Sequence, residues 1–459
     1  MARFSRRTLL RLLAATGATA LLAACGSSSS TVATTSAAPA AGAKTAASAV
    51  SVASAAPSGT SGAALTAMAW GDVNTQKVMH DQIPLYERQH PGVKITYINT
   101  AGGNAHYQKL QTMMAGGDAP SVFYMDPSLM PSYATKGVLG VLDSYVQASH
   151  YDLTDFYPKA IGQYYWQGKL YGLPRGFGNQ DLYWNQGLFQ KAGIQPPGAQ
   201  WDDPKWTTDA FLALADKLTV RSGGKVTQFG YGQSLGLRQW EPWVWLFGGE
   251  VVDQANQKCL LAEQPAMNGL QFLADLMHKY QVMPAPDYTQ QQTNASMFAS
   301  NRLGMNMDIP AALSTYRQLT TITWDVAPLP KQQRAVTSGG GICWAMYGKG
   351  PQPQAQWDLL SWLTGASFQT AETVANVTAP PRKSIADSPA YNDPKQPPKH
   401  MDVFLKAPDF VHTDPVSVNF NAVDTLIEKQ LSYLWDGSKA ARDVLPSLAT
   451  QVDSLLKGQ

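Results

Sequence analysis

The apolar positions of this chain change period several times, and the changes mark out its elements. Leu65 to Trp70 is a short apolar run closed by Gly71-Asp72, which predicts a strand. Over 74–90 the spacing turns helical, with Met79, Ile83 and Tyr86 on one face. Pro84 is expected to kink or restart that helix, and His90-Pro91-Gly92 to end it. Val93 to Ile98 is rich in β-branched residues and predicts a second strand. A glycine loop at 101–104 leads to a helix carrying Tyr107, Leu110 and Met114 in register, stopped by Gly116-Gly117. Ser121 to Met125 is a third apolar strand, ending at Asp126. Strands and helices alternating in this order imply right-handed crossovers and a parallel sheet.

After Tyr171-Gly172-Leu173-Pro174 the pattern starts again. Leu182-Tyr183-Trp184 predicts a strand, Phe189 to Ala192 a short helix, and Thr207-Thr208-Asp209 the cap of a helix carrying Phe211, Leu214 and Leu218. Helices are expected near 265–281 and 291–300, then at 354–363, 423–434 and 440–456. Ile322 to Ala327 is strand-like, and the glycine run at 339–341 begins another strand through Trp344. No repeat of fixed period appears.

The N-terminus stands outside this scheme. Residues 1–25 place Arg3, Arg6, Arg7 and Arg11 ahead of a short apolar run, the form of an export signal. Ser5 to Leu10 carries the twin-arginine pattern, which leaves the Tat and Sec routes both open. Leu22-Ala23-Ala24-Cys25-Gly26 resembles a lipobox, implying cleavage before Cys25 and a lipid on its sulfur. That would anchor the chain on the outer face of a cell membrane, extracellular or periplasmic. Residues 26–62 are almost entirely Ser, Ala, Thr and Gly, a composition that cannot bury enough apolar surface to fold, so they read as a flexible tether.

Removing these segments changes the charge. Of the 35 basic residues, five precede residue 63, against none of the 33 acidic ones; the body is therefore slightly acidic, and nothing in it argues for nucleic acid. The body is long enough for two lobes, each with its own core. Cys259 and Cys343 could pair in an exported protein, but their spacing does not show it, and two separate buried thiols are the expectation.

Catalytic motifs find little support. Gly232-Gln233-Ser234-Leu235-Gly236 has the G-x-S-x-G form of a hydrolase elbow, but neither glycine run at 102–103 or 339–341 has the form of an oxyanion loop. The seven histidines are scattered, so no metal site is expected. No phosphate-binding glycine loop follows a strand, so no nucleotide cofactor is expected either.

Several segments, taken in order, resemble one family. They are PLYERQHPGVKITY at 84–97, YQKLQTMMAGGDAP at 107–120, Gly168 to Pro174, Leu182 to Asn185 with Gly187 to Gly193, Asn301 to Asn306, Ala327 to Pro330, and Ala379 to Arg382. Together they are similar to the extracellular solute-binding lipoproteins of ABC importers, in the sugar-binding group that includes the maltodextrin-binding proteins. The resemblance implies an α/β fold of two discontinuous lobes with a hinged interlobe cleft. The N-lobe would comprise 64–176 and 329–377 and the C-lobe 177–328 and 378–459, with crossings near 174–179, 327–330 and 376–380. It implies a monomer without enzymatic activity that delivers a small carbohydrate to ABC permease subunits. The alternatives are an exported carbohydrate-active enzyme and a binder of a non-sugar solute such as glycerol phosphate.

Strand ends are where α/β sheets bind ligands, and aromatic rings match the apolar faces of pyranoses. Asp72 and Asp126 end two strands, and in maltodextrin-binding proteins acids at these positions accept sugar hydroxyls. Trp344, Arg382 and Phe420 are further candidates for the cleft. Asp308-Ile309-Pro310 stands where the family has Gly-Pro-Trp, which argues against a maltodextrin. Glu241-Pro242-Trp243 resembles a Glu-Pro-aromatic element whose acid and ring contact the sugar. On a helix, Trp243 and Trp245 point about 200° apart. Glu241 and Trp243 are therefore expected in the cleft, flanked by Trp240, with Trp245 in the C-lobe core.

Overall fold

The computed structural model describes residues 62–253 and 255–458; the export signal, Cys25 and nearly all of the tether lie outside them. Among the described residues, no helix is long and apolar enough to cross a membrane. Two five-stranded sheets organise the body. The first runs in the order Lys94–Thr100, Ala64–Trp70, Val122–Met125, Cys343–Met346, Leu173–Pro174. Its first three strands are parallel, joined by the helices Val73–Gln89 and Gly103–Gly116. Cys343–Met346 is antiparallel to both neighbours, because the chain enters it directly from the other half of the molecule rather than over a crossover helix. Pro84 does not break its helix. Pro84 and His80 are both exposed, so water can satisfy the carbonyl that the proline leaves unbonded.

The second sheet runs Trp324–Ala327, Asp181–Asn185, Leu303–Asp308, Lys225–Gly232, Val220–Ser222. One of its faces packs on the helices Thr208–Leu218, Leu237–Leu246, Gln264–His278, Phe420–Trp435 and Ala441–Leu456; the other covers Trp201, Phe298, Tyr316 and Phe404. Cys343 belongs to the first core and Cys259 to the second, and both are free thiols.

Three segments join the halves side by side. The Arg175 N–H donates to Ile342 O at 3.0 Å, that of Phe177 to Ala379 O at 3.1 Å, and that of Gln180 to Ser338 O at 3.2 Å. They approach so closely that a Cβ on Gly341 would lie 1.9 Å from the Gly176 carbonyl oxygen, which only glycine tolerates. The second crossing differs from its expected position. Leu329 and Val336 bury their side chains in the second core, so the chain stays there past 327–330 and passes over at 337–342. Gly339 and Gly340 accordingly do not lead into the strand of Trp344. They form a separate strand with Thr337 and Ser338, paired to Gly178 and Asn179.

Candidate ligand-binding cleft

A cavity of about 340 Å³ opens where the first sheet, the second body and the three crossings meet. Trp70, Gly71 and Asp72 enter it from the end of the first strand, Asn179, Gln180, Ser338 and Asn376 from the crossings, and Ile309 to Ala311 with Arg238 from the opposite side. Asp72 also caps the following helix, with Oδ1 accepting from Thr75 N at 2.9 Å and Thr75 Oγ1 at 3.0 Å. A Cβ on Gly71 would lie 2.4 Å from the Thr75 side chain, so glycine is required for this tight turn. Trp70 is held edge-on by His106, Tyr124 and Tyr107 at centroid distances of 4.7, 5.2 and 5.8 Å. The cavity thus offers one fixed aromatic ring, one carboxylate and a ring of neutral amides and hydroxyls, a set suited to an apolar-faced polyol.

Two guanidiniums border it. Arg175 pairs with buried Glu372 at 2.8 Å, and its Nη2 has no partner. Burial works against its charge, but Glu372 and Tyr124 outweigh that effect and hold it protonated. Arg238 begins the helix Leu237–Leu246 and bonds Asp414 of its own body at 2.7 Å and Asp126 of the other at 3.2 Å. Burial again opposes the charge, and Asp414 and then Asp126 restore it. Pro242 lies four residues on and cannot donate to the Arg238 carbonyl, which instead accepts the Ser338 hydroxyl. The proline therefore ties this helix to a crossing strand.

The residues expected in the cleft separate into two groups. Asp72 lines it. Asp126 does not line it; its carboxylate is engaged by Ser128 at 2.6 Å and by Arg238, which does. Trp240, Glu241 and Trp243 do not reach it; all three are fully buried. The helix carrying them is covered on every side, one face by Gln264–His278 and another by the strand Thr337–Gly340, so the 200° between Trp243 and Trp245 separates two interior faces. Trp243 Nε1 donates to Gln233 Oε1 at 2.8 Å, and Trp240 Nε1 to Glu428 Oε1 at 3.0 Å. Trp245, expected in the core, is buried there and stacks on His412 at 4.2 Å. Neither Glu241 oxygen meets a donor. Burial, and then the charge of Asp414, push its acid well above the carboxylate range, so Glu241 keeps a proton that it can offer to Asp414.

Trp344 is also fully buried, edge-on to Tyr124 at 4.4 Å in the first core. Arg382 is a structural tie: it pairs with Asp155 at 3.2 Å, donates to Thr364 O and Tyr151 OH, and stacks over Phe156 at 4.1 Å. Phe420 opens the helix Phe420–Trp435, packs against the first core and lines a small apolar gap with Leu237 and Ile427; it does not line the cavity. Ser234 of the G-x-S-x-G stretch lies between a strand and a helix, but its hydroxyl makes no hydrogen bond to a histidine among the described residues. Sequence reasoning passed over Trp70 and Arg238. Trp70 directly precedes the Gly71-Asp72 turn, and a strand-end aromatic beside a chosen acid was the available signal. Arg238 had none, because its partners lie 112 and 176 residues away.

Residues 56–370 match the profile of the family described as bacterial extracellular solute-binding protein. The sn-glycerol-3-phosphate-binding periplasmic protein UgpB of Pectobacterium atrosepticum is 21% identical over 414 residues, covering 81% of this chain and 86% of that one. Among solved structures, the ABC substrate-binding protein Lmo0181 of Listeria monocytogenes, in complex with cycloalternan, superposes with a TM-score of 0.77. It is 20% identical, covering 86% of this chain and 99% of that chain. Maltose-bound MalE3 of T. maritima gives 0.72, also at 20% identity, over 86% and 100% of the two chains. These likenesses establish the two-lobe fold with its interlobe cleft.

Proposed function

The chain belongs to the bacterial extracellular solute-binding proteins, and from that premise we propose that its cleft captures a small neutral carbohydrate for an ABC permease. The supporting observation is the Trp70–Asp72 pair facing Asn179, Gln180, Ser338 and Asn376 across one cavity. The ring would take the apolar face of a pyranose, and the amides and acid its hydroxyls. Solute would hold the lobes closed by as much as it binds the closed form better than the open one. A lipid on Cys25 would keep the receptor beside its permease at the outer face of the membrane, and the protein would act as a monomer without catalysing a reaction.

Glycerol phosphate is the second reading, favoured by the unpartnered Nη2 of Arg175 at the cavity wall. The balance of charge opposes it. Arg175 is neutralised by Glu372, and Arg238 by Asp126 and Asp414, which leaves Asp72 as the uncompensated charge at the cavity. A thermal-shift screen of mono- and oligosaccharides with sn-glycerol 3-phosphate separates the two, because a ligand of the native state raises its melting temperature. A shift with a neutral sugar and none with the phosphate is expected. A shift with the phosphate alone would overturn the carbohydrate reading.

A further inference from the structure

Beyond the cavity of Trp70 lies a second and larger one, of about 510 Å³, lined by Pro127, Ser128, Lys159, Gln163, Tyr165 and the segment 411–416. Both lie between the same two bodies, and a thin wall of side chains divides them. Arg238 lines the inner cavity and reaches out to Asp414, which lines the outer one, and to Asp126, the neighbour of Pro127. Gln163, also of the outer cavity, reaches towards the inner one beside Arg238. A Cβ placed on Gly340, in the inner wall, would lie 3.1 Å from Gln163 Oε1 and 3.4 Å from Arg238 Cζ. The two side chains therefore converge on the same point above Gly340, where a side chain would fit only tightly. The arginine also joins the bodies directly, since Asp126 follows a strand of the first sheet while the helix of Arg238 packs on the second.

We propose that Arg238, with Gln163 beside it, determines the length of the ligand: bridged to Asp126, it confines a sugar to the inner cavity and excludes a longer chain from running on into the outer one. This rests on the carbohydrate reading of the cleft. The outer cavity has saccharide-compatible walls of its own in Tyr165, Gln163, Thr413 and Ser128, so a chain that passed the bridge would meet both an aromatic surface and hydroxyl partners. The bridge is also held firmly. Its guanidinium is charged by two carboxylates and its backbone is fixed by Ser338, so displacing it would leave Asp126 and Asp414 without their cation.

The test is isothermal titration of wild type, Arg238→Ala and Gln163→Ala with two matched series: glucose, maltose, maltotriose and maltopentaose, and galactose, sucrose, raffinose and stachyose. The reading is the ratio of long-chain to short-chain affinity within a series. Wild type is expected to bind the short members and to lose affinity with length. Each variant should raise the ratio by about tenfold or more. Should Arg238→Ala fail to fold, with two carboxylates left without their cation, Gln163→Ala decides the matter, since it removes the other side chain at Gly340 and no charge. A ratio unmoved in the folded variants overturns the proposal, as does wild type binding maltopentaose or stachyose as tightly as the disaccharide, and either result leaves the carbohydrate reading standing. Binding of no sugar by any of the three proteins overturns both.

Discussion

His106 should make the first lobe acid-sensitive, by an amount the structure sets. It is fully buried behind Trp70, with Nε2 donating to Tyr124 O at 3.0 Å. Burial lowers its pKa from the ordinary 6.5 to about 4, the Tyr124 carbonyl offsetting only part of that. The unfolded chain takes up the proton near pH 6.5, and the folded one refuses it until about pH 4. In that window the unfolded state binds more protons, so stability falls as pH falls. At about 1.4 kcal/mol per pH unit, the loss from this residue is about 2 kcal/mol at pH 5 and about 3 kcal/mol once the pH is below both values. The comparison is urea unfolding, followed by tryptophan fluorescence at about pH 7.5 and about pH 5, of wild type and His106→Gln. Glutamine can keep the bond to Tyr124 O and does not titrate, while every other ionisable group contributes equally to both proteins. Wild type should lose about 2 kcal/mol more than the variant on acidification. Parallel losses would refute the argument, because they would mean that the imidazole is protonated in place or never pays for its burial.

Two further predictions concern the tryptophan helix. Glu241→Gln should change stability at neutral pH by less than about 1 kcal/mol, since glutamine supplies a donor where the neutral acid has one, whereas Glu241→Leu strands Asp414 Oδ1 and should cost about 1–3 kcal/mol; equal losses in urea midpoint would mean that the acid is ionised. Gly269→Ala would put a Cβ 2.1 Å from the Trp243 carbonyl oxygen and should lower stability by about 1–3 kcal/mol, measured as a fall in melting temperature; an unchanged melting temperature would refute the close helix contact.

The alternating strands and helices of 64–125 were legible because glycines punctuate them, two of the strands are mostly apolar runs and the other is rich in β-branched residues. Asp72 was legible for a related reason, since a Gly-Asp pair at a strand end both turns the chain and caps the next helix. The tryptophans were not. A helical wheel gives the angle between Trp243 and Trp245 but not which sides are covered, and here the helix Gln264–His278 and the strand Thr337–Gly340 cover both. Glu241 read as a ligand-binding acid because Glu241-Pro242-Trp243 resembles a sugar-contacting element, but here the residue is fully buried and burial favours its neutral form. The late second crossing had no local mark either. It depends on Leu329 and Val336 finding a core built from residues far off in sequence.

Pro242 would ordinarily count as a defect in a helix. Here it gives the moving parts a fixed reference. A helix without it would use the Arg238 carbonyl internally, and the crossing strand could slide past the first turn. With Ser338 holding that carbonyl, the foot of the arginine is pinned to a strand that crosses between the lobes. Under the hinge closure proposed above, its guanidinium would act as a stop fixed to the axle, and the distance to Asp126, 3.2 Å here, would record how far the jaws have closed.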